Sequence, residues 1–191
     1  MKSHRCWLRA AGVALIFFSG ITSAASISWQ DTVALGADGA NGTSTYTFAV
    51  SATSTIVIQS YGYGGSGGAP GGTNLAGVVI PGGGFDPYIS LFLGVGPSAT
   101  FLASNDDGAC LPPSLSGSLC ADSNLSLTLI PGTYTLVVEA FDNMSFAENL
   151  GSGTLGDGFT GLGNYDPTRT DNFAIDISGR YLDTIFADGF E

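Results

Sequence analysis

Positive charge is scarce in this 191-residue chain: five Lys and Arg together and one His stand against 16 Asp and Glu. Lys2, His4, Arg5 and Arg9 lie at the very start, and past them only Arg169 and Arg180 are basic. Nucleophilic catalysis by a Ser-His-Asp or Cys-His set needs a histidine base, so the body of the chain excludes it. Lysine chemistry and His/Cys zinc sites fall with it. So acidic a chain also repels nucleic acid and anionic membranes, while it attracts cations. Charged residues make up only 11%, which leaves little for the polar faces of long amphipathic helices. The 29 glycines suit short strands joined by tight turns instead. The length is enough for one domain with a real core.

The first residues read as an export signal, 1–25. Lys2, Arg5 and Arg9 form a positive region, Ala10 to Ile21 is apolar, and Thr22-Ser-Ala-Ala25 offers small residues for cleavage after Ala24 or Ala25. The competing reading is a membrane anchor, but the run is short for a span. Cleavage leaves two basic groups against 16 acidic ones, a net charge of −14, and no transmembrane segment. It also removes Cys6, so Cys110 and Cys120 remain. In an exported domain two cysteines read as a disulfide rather than a metal pair.

Alternation of apolar and polar residues marks the strands. Ile27–Val33, Tyr46–Val50, Ser54–Ser60, Tyr88–Leu93, 99–104, Leu125–Leu129, Tyr134–Phe141 and Asn172–Ile177 are expected to be extended. Ser51-Ala-Thr53 predicts a hairpin between the second and third. Two long loops separate the runs. Residues 62–84 are dominated by glycine, with Leu75–Ile80 expected to tuck down part of the loop. Residues 142–171 carry Phe146, Leu150, Leu155, Phe159 and Leu162, expected to form a folded cover. About eight strands at this spacing predict an all-β, jelly-roll-like antiparallel β-sandwich over 26–180, followed by a short acidic tail at 181–191.

The organising stretch is Gly84-Phe-Asp-Pro-Tyr-Ile-Ser-Leu-Phe-Leu93, answered by Phe101-Leu-Ala-Ser-Asn-Asp-Asp-Gly108. With Gly94, Gly96 and Pro97 as turn residues it reads as a hairpin. Pairing Leu93 with Ala99 sets Leu91 opposite Phe101 and Asp86 opposite Asp106. Asp86, Asp106 and Asp107 then crowd one edge, which is costly unless a cation or proton relieves it. Asn105 adds a carbonyl oxygen, and Gly108 allows a sharp turn. An all-oxygen set points to calcium, with Asp122, Glu139 or Asp142 as further ligands. The bland reading is aspartates that cap turns.

Other patterns weigh less. Gly62-Tyr-Gly-Gly-Ser-Gly67 matches a dinucleotide fingerprint, but glycine and Pro70 follow it instead of a helix. Asp86, Asp106, Asp107, Glu139 and Asp142 are the carboxylates available to a glycoside hydrolase. Tyr61, Tyr63, Tyr88 and Tyr165 are the aromatics available to a sugar-stacking surface, against the plainer reading of scattered packing.

Tyr46-Thr-Phe48, Gly83-Gly-Phe-Asp-Pro87, Leu91-Phe92, Asn105-Asp-Asp-Gly108 and Pro131-Gly-Thr-Tyr-Thr135 occur in that order. The set resembles the bacterial exported β-sandwich domains akin to the pre-peptidase C-terminal (PPC) domain, in the branch often found with PEP-CTERM tails. The resemblance spans roughly residues 44–178 and implies a jelly-roll-like sandwich without established catalysis. The chain departs from that branch at Tyr181–Glu191, which lacks the Pro-Glu-Pro motif, apolar span and basic end. That segment looks like an Ile-Phe-x-Asp-Gly-Phe-Glu ending of exported proteins from some Gram-negative bacteria.

The expectation is therefore a secreted, cell-surface or periplasmic protein that is not an enzyme. It serves as a binding or structural module with a structural calcium site, its partner a surface polysaccharide or envelope protein. The rival readings are a carbohydrate-binding module, a carboxylate-dependent glycosidase and a purely structural matrix component. Mass spectrometry of the exported protein should find Ala25 or Ser26 at the N-terminus, and thiol labelling of denatured, unreduced protein should find no free cysteine. An intact Met1 or two reactive thiols would contradict these expectations.

Overall fold

Each alternating run folds as a strand, and the inward members of the runs meet in one core. The computed structural model describes residues 24–35, 42–64, 71–108, 121–150, 153–162 and 166–183. Cys110 and Cys120, Tyr165 and nearly all of the N-terminal signal and the C-terminal tail lie outside them. The strands are β1 (Ala25–Thr32), β2 (Ser44–Val50), β3 (Ser54–Tyr61), β4 (Pro87–Leu93), β5 (Thr100–Asn105), β6 (Asn124–Leu129), β7 (Gly132–Ala140), β8 (Asn172–Gly179) and β9 (Leu182–Asp183). They form two sheets, ordered β1-β8-β3-β6 and β5-β4-β7-β2-β9, with antiparallel pairing throughout. The molecule is an all-β sandwich. Among the described residues no helix is long and apolar enough to cross a membrane.

Period-two side chains put one face of each strand inward. Ile56 and Ile58 of β3 and Ile175 and Ile177 of β8 join Phe48, Leu91 and Leu136 from the opposite sheet in one cluster, all fully buried. Aromatic rings bridge the sheets: Trp29 stacks on Tyr46 at 4.7 Å between centroids, and Phe85 meets Phe173 edge-on at 5.8 Å. Both strand ends run past the expected domain limits. β1 starts at Ala25, and β9 carries the sandwich to Asp183, with Leu182 buried in the core.

The hairpin expected at 51–53 does not form. β2 pairs with β7 and β9, whereas β3 pairs with β6 and β8 in the other sheet. The three residues arch between sheets, which lets Phe48 and Val50 face Ile56 and Ile58 across the core. A hairpin would have left those two apolar rows side by side on one sheet.

The β4–β5 hairpin forms in a different register from the one expected. Leu93 pairs with Thr100 and Phe92 with Phe101; then Leu91 pairs with Ala103, so Leu102 is an extra residue in β5. The ladder ends at Ile89–Asn105. The pairs Leu93–Ala99, Leu91–Phe101 and Asp86–Asp106 are therefore not ladder partners. The turn sets the first offset, with Gly94 at φ 101° and Gly96 at φ 67°, which glycine adopts without strain. The bulge at Leu102 sets the second.

β4 is buried on both faces, because residues 145–150 and 153–159 cover its outer side. The cover consists of a short helix, α1 (Phe146–Leu150), and a single 3-10 turn at Leu155–Asp157. Ala147 docks on Phe92, Ala99 and Val137, with Leu155 and Phe159 beside it. Phe146, Leu150 and Leu162 were expected to pack but are exposed. A five-residue helix turns only one side inward, and here that side is Ala147. In the 71–84 segment Ile80 is buried against Tyr61 and Ala174, while Leu75, Val78 and Val79 stay exposed.

Leu136 sits in the middle of this core with no exposed surface. Leu136→Ala should cost about 2–5 kcal/mol by denaturant unfolding. Thr128→Ala, on an exposed outer position of β6, should stay within about 0.5 kcal/mol.

Candidate metal centre

The candidate centre lies where β4 begins and β5, β7 and β3 end. Asp86 sits between two anchors. Phe85 is buried against Phe173, and Pro87 opens β4. The Asp86 carbonyl accepts from the Phe141 N–H at 2.8 Å, which ties it to the end of β7. Asp106 and Asp107 directly follow β5. Ser123, fully buried before β6, gathers these ends. Its Oγ lies 2.7 Å from the Pro87 carbonyl oxygen, 3.0 Å from that of Asn105 and 2.6 Å from that of Asp106. Gly108 makes room for this approach, since a Cβ there would meet the Asp122 carbonyl oxygen at 2.5 Å.

Asp86, Asp106 and Asp107 each place a carboxylate oxygen within 4.8 Å of the other two. The chain thus brings together the three predicted aspartates, by a route other than the predicted register. Oδ1 of Asp86 and Oδ1 of Asp106 are buried and have no hydrogen-bond partner. Burial, then the charges of Asp106 and Asp107, push the Asp86 carboxyl up to about 7, against a smaller opposing pull from Arg169. Burial and the neighbouring Asp107, Asp142 and Glu148 push Asp106 up to about 6. Asp142 stands near both and is the one described non-glycine residue at positive φ, 72°.

Other predicted ligands have different places. The Asn105 side-chain oxygen accepts from the Asn124 N–H at 2.7 Å, so it braces β5 against β6. Asp122 is buried and accepts from the Ser60 hydroxyl at 3.1 Å. Burial raises its carboxyl to about 7, partly offset by the Ser60 hydroxyl and by backbone N–H groups of Tyr63 and Gly64. Glu139 is fully buried on the outer face of β7, beneath the cover. Ser90 Oγ donates to its Oε1 at 2.7 Å, while Oε2 has no partner. The Tyr88 hydroxyl donates to Glu148 of α1 in the same layer.

Two contributors were not singled out as site residues in the sequence. Ser123 carries no distinguishing local pattern. Arg169, one of only two basic residues beyond the N-terminal region, was the readable signal. Its guanidinium donates to the carbonyls of Gly84 (2.7 Å) and Tyr63 (3.2 Å) and lies 3.7 Å above the Tyr63 ring. It thereby holds the two long loops together. Tyr61 and Tyr88 are buried, and Tyr63 lies beneath Arg169. These three do not form the exposed aromatic platform considered from the sequence.

Glu139 yields a pH dependence with a definite sign. Burial holds its carboxyl well above the ordinary range, Glu148 adds to this, and the Ser90 hydrogen bond opposes it. Above the unfolded-state pKa the folded protein keeps a proton that the unfolded chain releases, so stability falls as pH rises. Glu139→Gln retains an acceptor for Ser90 and cannot ionise. It should melt above the wild type at pH 8 and level with it near pH 4, by about 2–4 °C per kcal/mol recovered. A variant that melts lower at pH 8 would show that the carboxylate itself is needed.

Comparison with known proteins does not place the chain by descent: no family model and no curated protein matches it.

Proposed function

We propose that this is an exported, non-catalytic β-sandwich protein of binding or structural role, with a structural calcium site at its loop end. One observation carries the reading: Asp86, Asp106 and Asp107 converge within 4.8 Å, and two of their buried oxygens lack any partner. Like charges so close are relieved by protons or by a cation. Calcium takes six to eight oxygen ligands in flexible geometry, whereas magnesium requires a stricter octahedron. Asp142, whose charge acts on both Asp86 and Asp106, is the candidate for a further oxygen. The ion would tie the start of β4 to the end of β5, and with them the loops that leave those strands.

The wider reading draws on the same sandwich. The strand order, β1-β8-β3-β6 facing β2-β7-β4-β5, supports the jelly-roll form and agrees with the resemblance to PPC-like exported domains. The N-terminal pattern supports export, with the cell surface or periplasm of a Gram-negative bacterium as its destination. A glycosidase reading is less well supported. Its carboxyl pair stands about 5–9.5 Å apart across an open substrate cleft. Here the clustered oxygens are closer, and Glu139 lies sealed under the cover.

The test is a set of thermal melts in calcium, in magnesium and in chelator at pH 7.5. Calcium at a hundredfold excess over Kd stabilises by about 2.7 kcal/mol, which is about 5–10 °C for a domain of this size. Asp86→Asn and Asp106→Asn should abolish most of that shift. A wild-type melting temperature that is the same in all three conditions, with no heat on calcium titration, sinks the calcium site.

A further inference from the structure

The outer face of the four-stranded sheet differs from the rest of the molecule in charge. Its outward strand positions are Ser, Thr, Gln, Asn, Val, Ala, Tyr and a single Asp. That Asp176 is 2% exposed, so the described strand residues present no accessible charge on this face. The chain as a whole carries 16 acidic residues, and the candidate metal centre holds its acids at the strand ends instead.

Registry aligns the polar groups into rows across the strands. Ser28, Asp176, Gln59 and Asn124 are successive partners from β1 to β6. Ser28 Oγ donates to Asp176 Oδ1 at 2.5 Å, and Asn124 Nδ2 donates to Gln59 Oε1 at 2.5 Å. Gln59 Nε2 donates to the carbonyls of Ser60 (2.8 Å) and Ser123 (3.1 Å). The Gln59 amide is used up within the sheet and fixes the Asn124 amide before any ligand arrives, which lowers the ordering cost of binding. The next row runs through Ser26, Ser178, Val57 and Ser126. Four strands span about 15 Å.

A cleft of about 210 Å³ opens between these rows and the 71–80 segment, where the Leu75 N–H donates to Asp176 Oδ2 at 2.7 Å. Leu75, 56% exposed, forms its lip, and Val57 lies on its floor. Drug-sized ligands occupy about 300–1,000 Å³, so this cleft suits a single small ring. The Asn124 amide and the Ser178 hydroxyl on the cleft wall match ring hydroxyls, and Leu75 and Val57 offer apolar contact to ring C–H groups.

We propose that this face binds an uncharged polysaccharide, with one sugar ring seated in the cleft beside Leu75 and the polymer running across the strands. The choice of occupant rests on charge. A neutral polymer meets no repulsion on an uncharged face, whereas an anionic one is repelled by the acidic remainder. A sheet face of hydroxyls and amides also lacks the large apolar core of stable protein interfaces. The proposal rests on the non-catalytic binding role inferred above, but not on the cation, so it is tested in chelator as well as in calcium.

The experiment is affinity electrophoresis and pull-down of the chain as secreted by its expression host. Amylopectin, xyloglucan, mannan, curdlan and cellulose are the neutral probes, and alginate is the anionic one. Retention on at least one neutral polymer, equal in calcium and chelator, is the expected result. Ser126→Glu and Ser178→Glu, each with an unchanged melting temperature, should weaken it at least tenfold; Ser126 is exposed, so at least that variant keeps its fold. Absence of retention on every neutral polymer overturns the proposal, whatever the calcium melts show. So does retention on alginate alone, or retention that neither variant weakens. A wild-type dimer that the two variants convert to monomer would assign the face to a second copy and also overturn it.

Discussion

Carboxylates taken out of water with hardly any cation to pair them are the constraint on which the loop end of this protein depends. Four acids, Asp86, Asp106, Asp122 and Glu139, have their proton affinity raised, and burial is the largest cause in each. The cation nearest to them, Arg169, gives its hydrogen bonds to the carbonyls of Tyr63 and Gly84. Each acid is therefore relieved in its own way. Asp122 accepts from the Ser60 hydroxyl. Glu139 has a single hydrogen bond, from Ser90, in a sealed apolar layer, where a retained proton is the least costly remedy. Asp86 and Asp106 have neither a sealed layer nor a donor for their inner oxygens, and they have each other's charge. That difference is why a cation is proposed at Asp86 and Asp106 and not at Asp122 or Glu139.

The geometry that creates this problem comes from ordinary sandwich construction. Strands buried on their inner faces end together, and their connections crowd one end of the sheets. Ser123 turns that crowding into a joint, since one hydroxyl reaches three carbonyl oxygens from the ends of β4 and β5. Neutral carbonyls converge on it, one of them from Asp106 itself, whose side chain belongs to the aspartate cluster. Replacing Gly108 would push the Asp122 carbonyl away from this joint. The backbone is thus fixed by neutral hydrogen bonds that do not depend on the ionisation of the aspartates.

The strands were legible because period-two alternation reports directly on a half-buried sheet. All eight expected runs appear, from β1 at Ala25 to β8 at Gly179, and the short β9 was missed because two residues carry no period. Pairing was much less legible. The arch at 51–53 and a hairpin there look alike in sequence, since both need only a short polar connection. The β4–β5 register moved because the Gly94–Gly96 turn and the bulge at Leu102 each add an offset that alternation does not reveal. The aspartate cluster was found in spite of the wrong register, because acids at the open end of a hairpin converge within a residue or two of any alignment. Asn105 shows a different limit. Alternation does not report the direction of its side-chain oxygen, which accepts from the main-chain N–H of Asn124. The cover illustrates the same limit: apolar residues announced it, but which of them docks depended on the orientation of one short helix, and Ala147 rather than Phe146 faces inward.

Charge is also sorted by place, and the sorting follows from the cost of burial. An acid on the outer face of the four-stranded sheet must either remain in water or find donors there. Asp176, the one acid on that face, is covered by the 71–80 segment and held by the Ser28 hydroxyl and the Leu75 N–H. With both oxygens satisfied it serves as a clasp between loop and sheet, and contributes nothing to the accessible surface. The remaining outward positions are neutral, so the face meets its surroundings through hydrogen bonds and shape alone. Three aspartates off the strands, Asp86, Asp106 and Asp107, gather instead at the loop end, where their carboxylates crowd one another. A single acidic composition thus gives two surfaces of different character: one of crowded carboxylates, and one of neutral hydrogen-bonding groups.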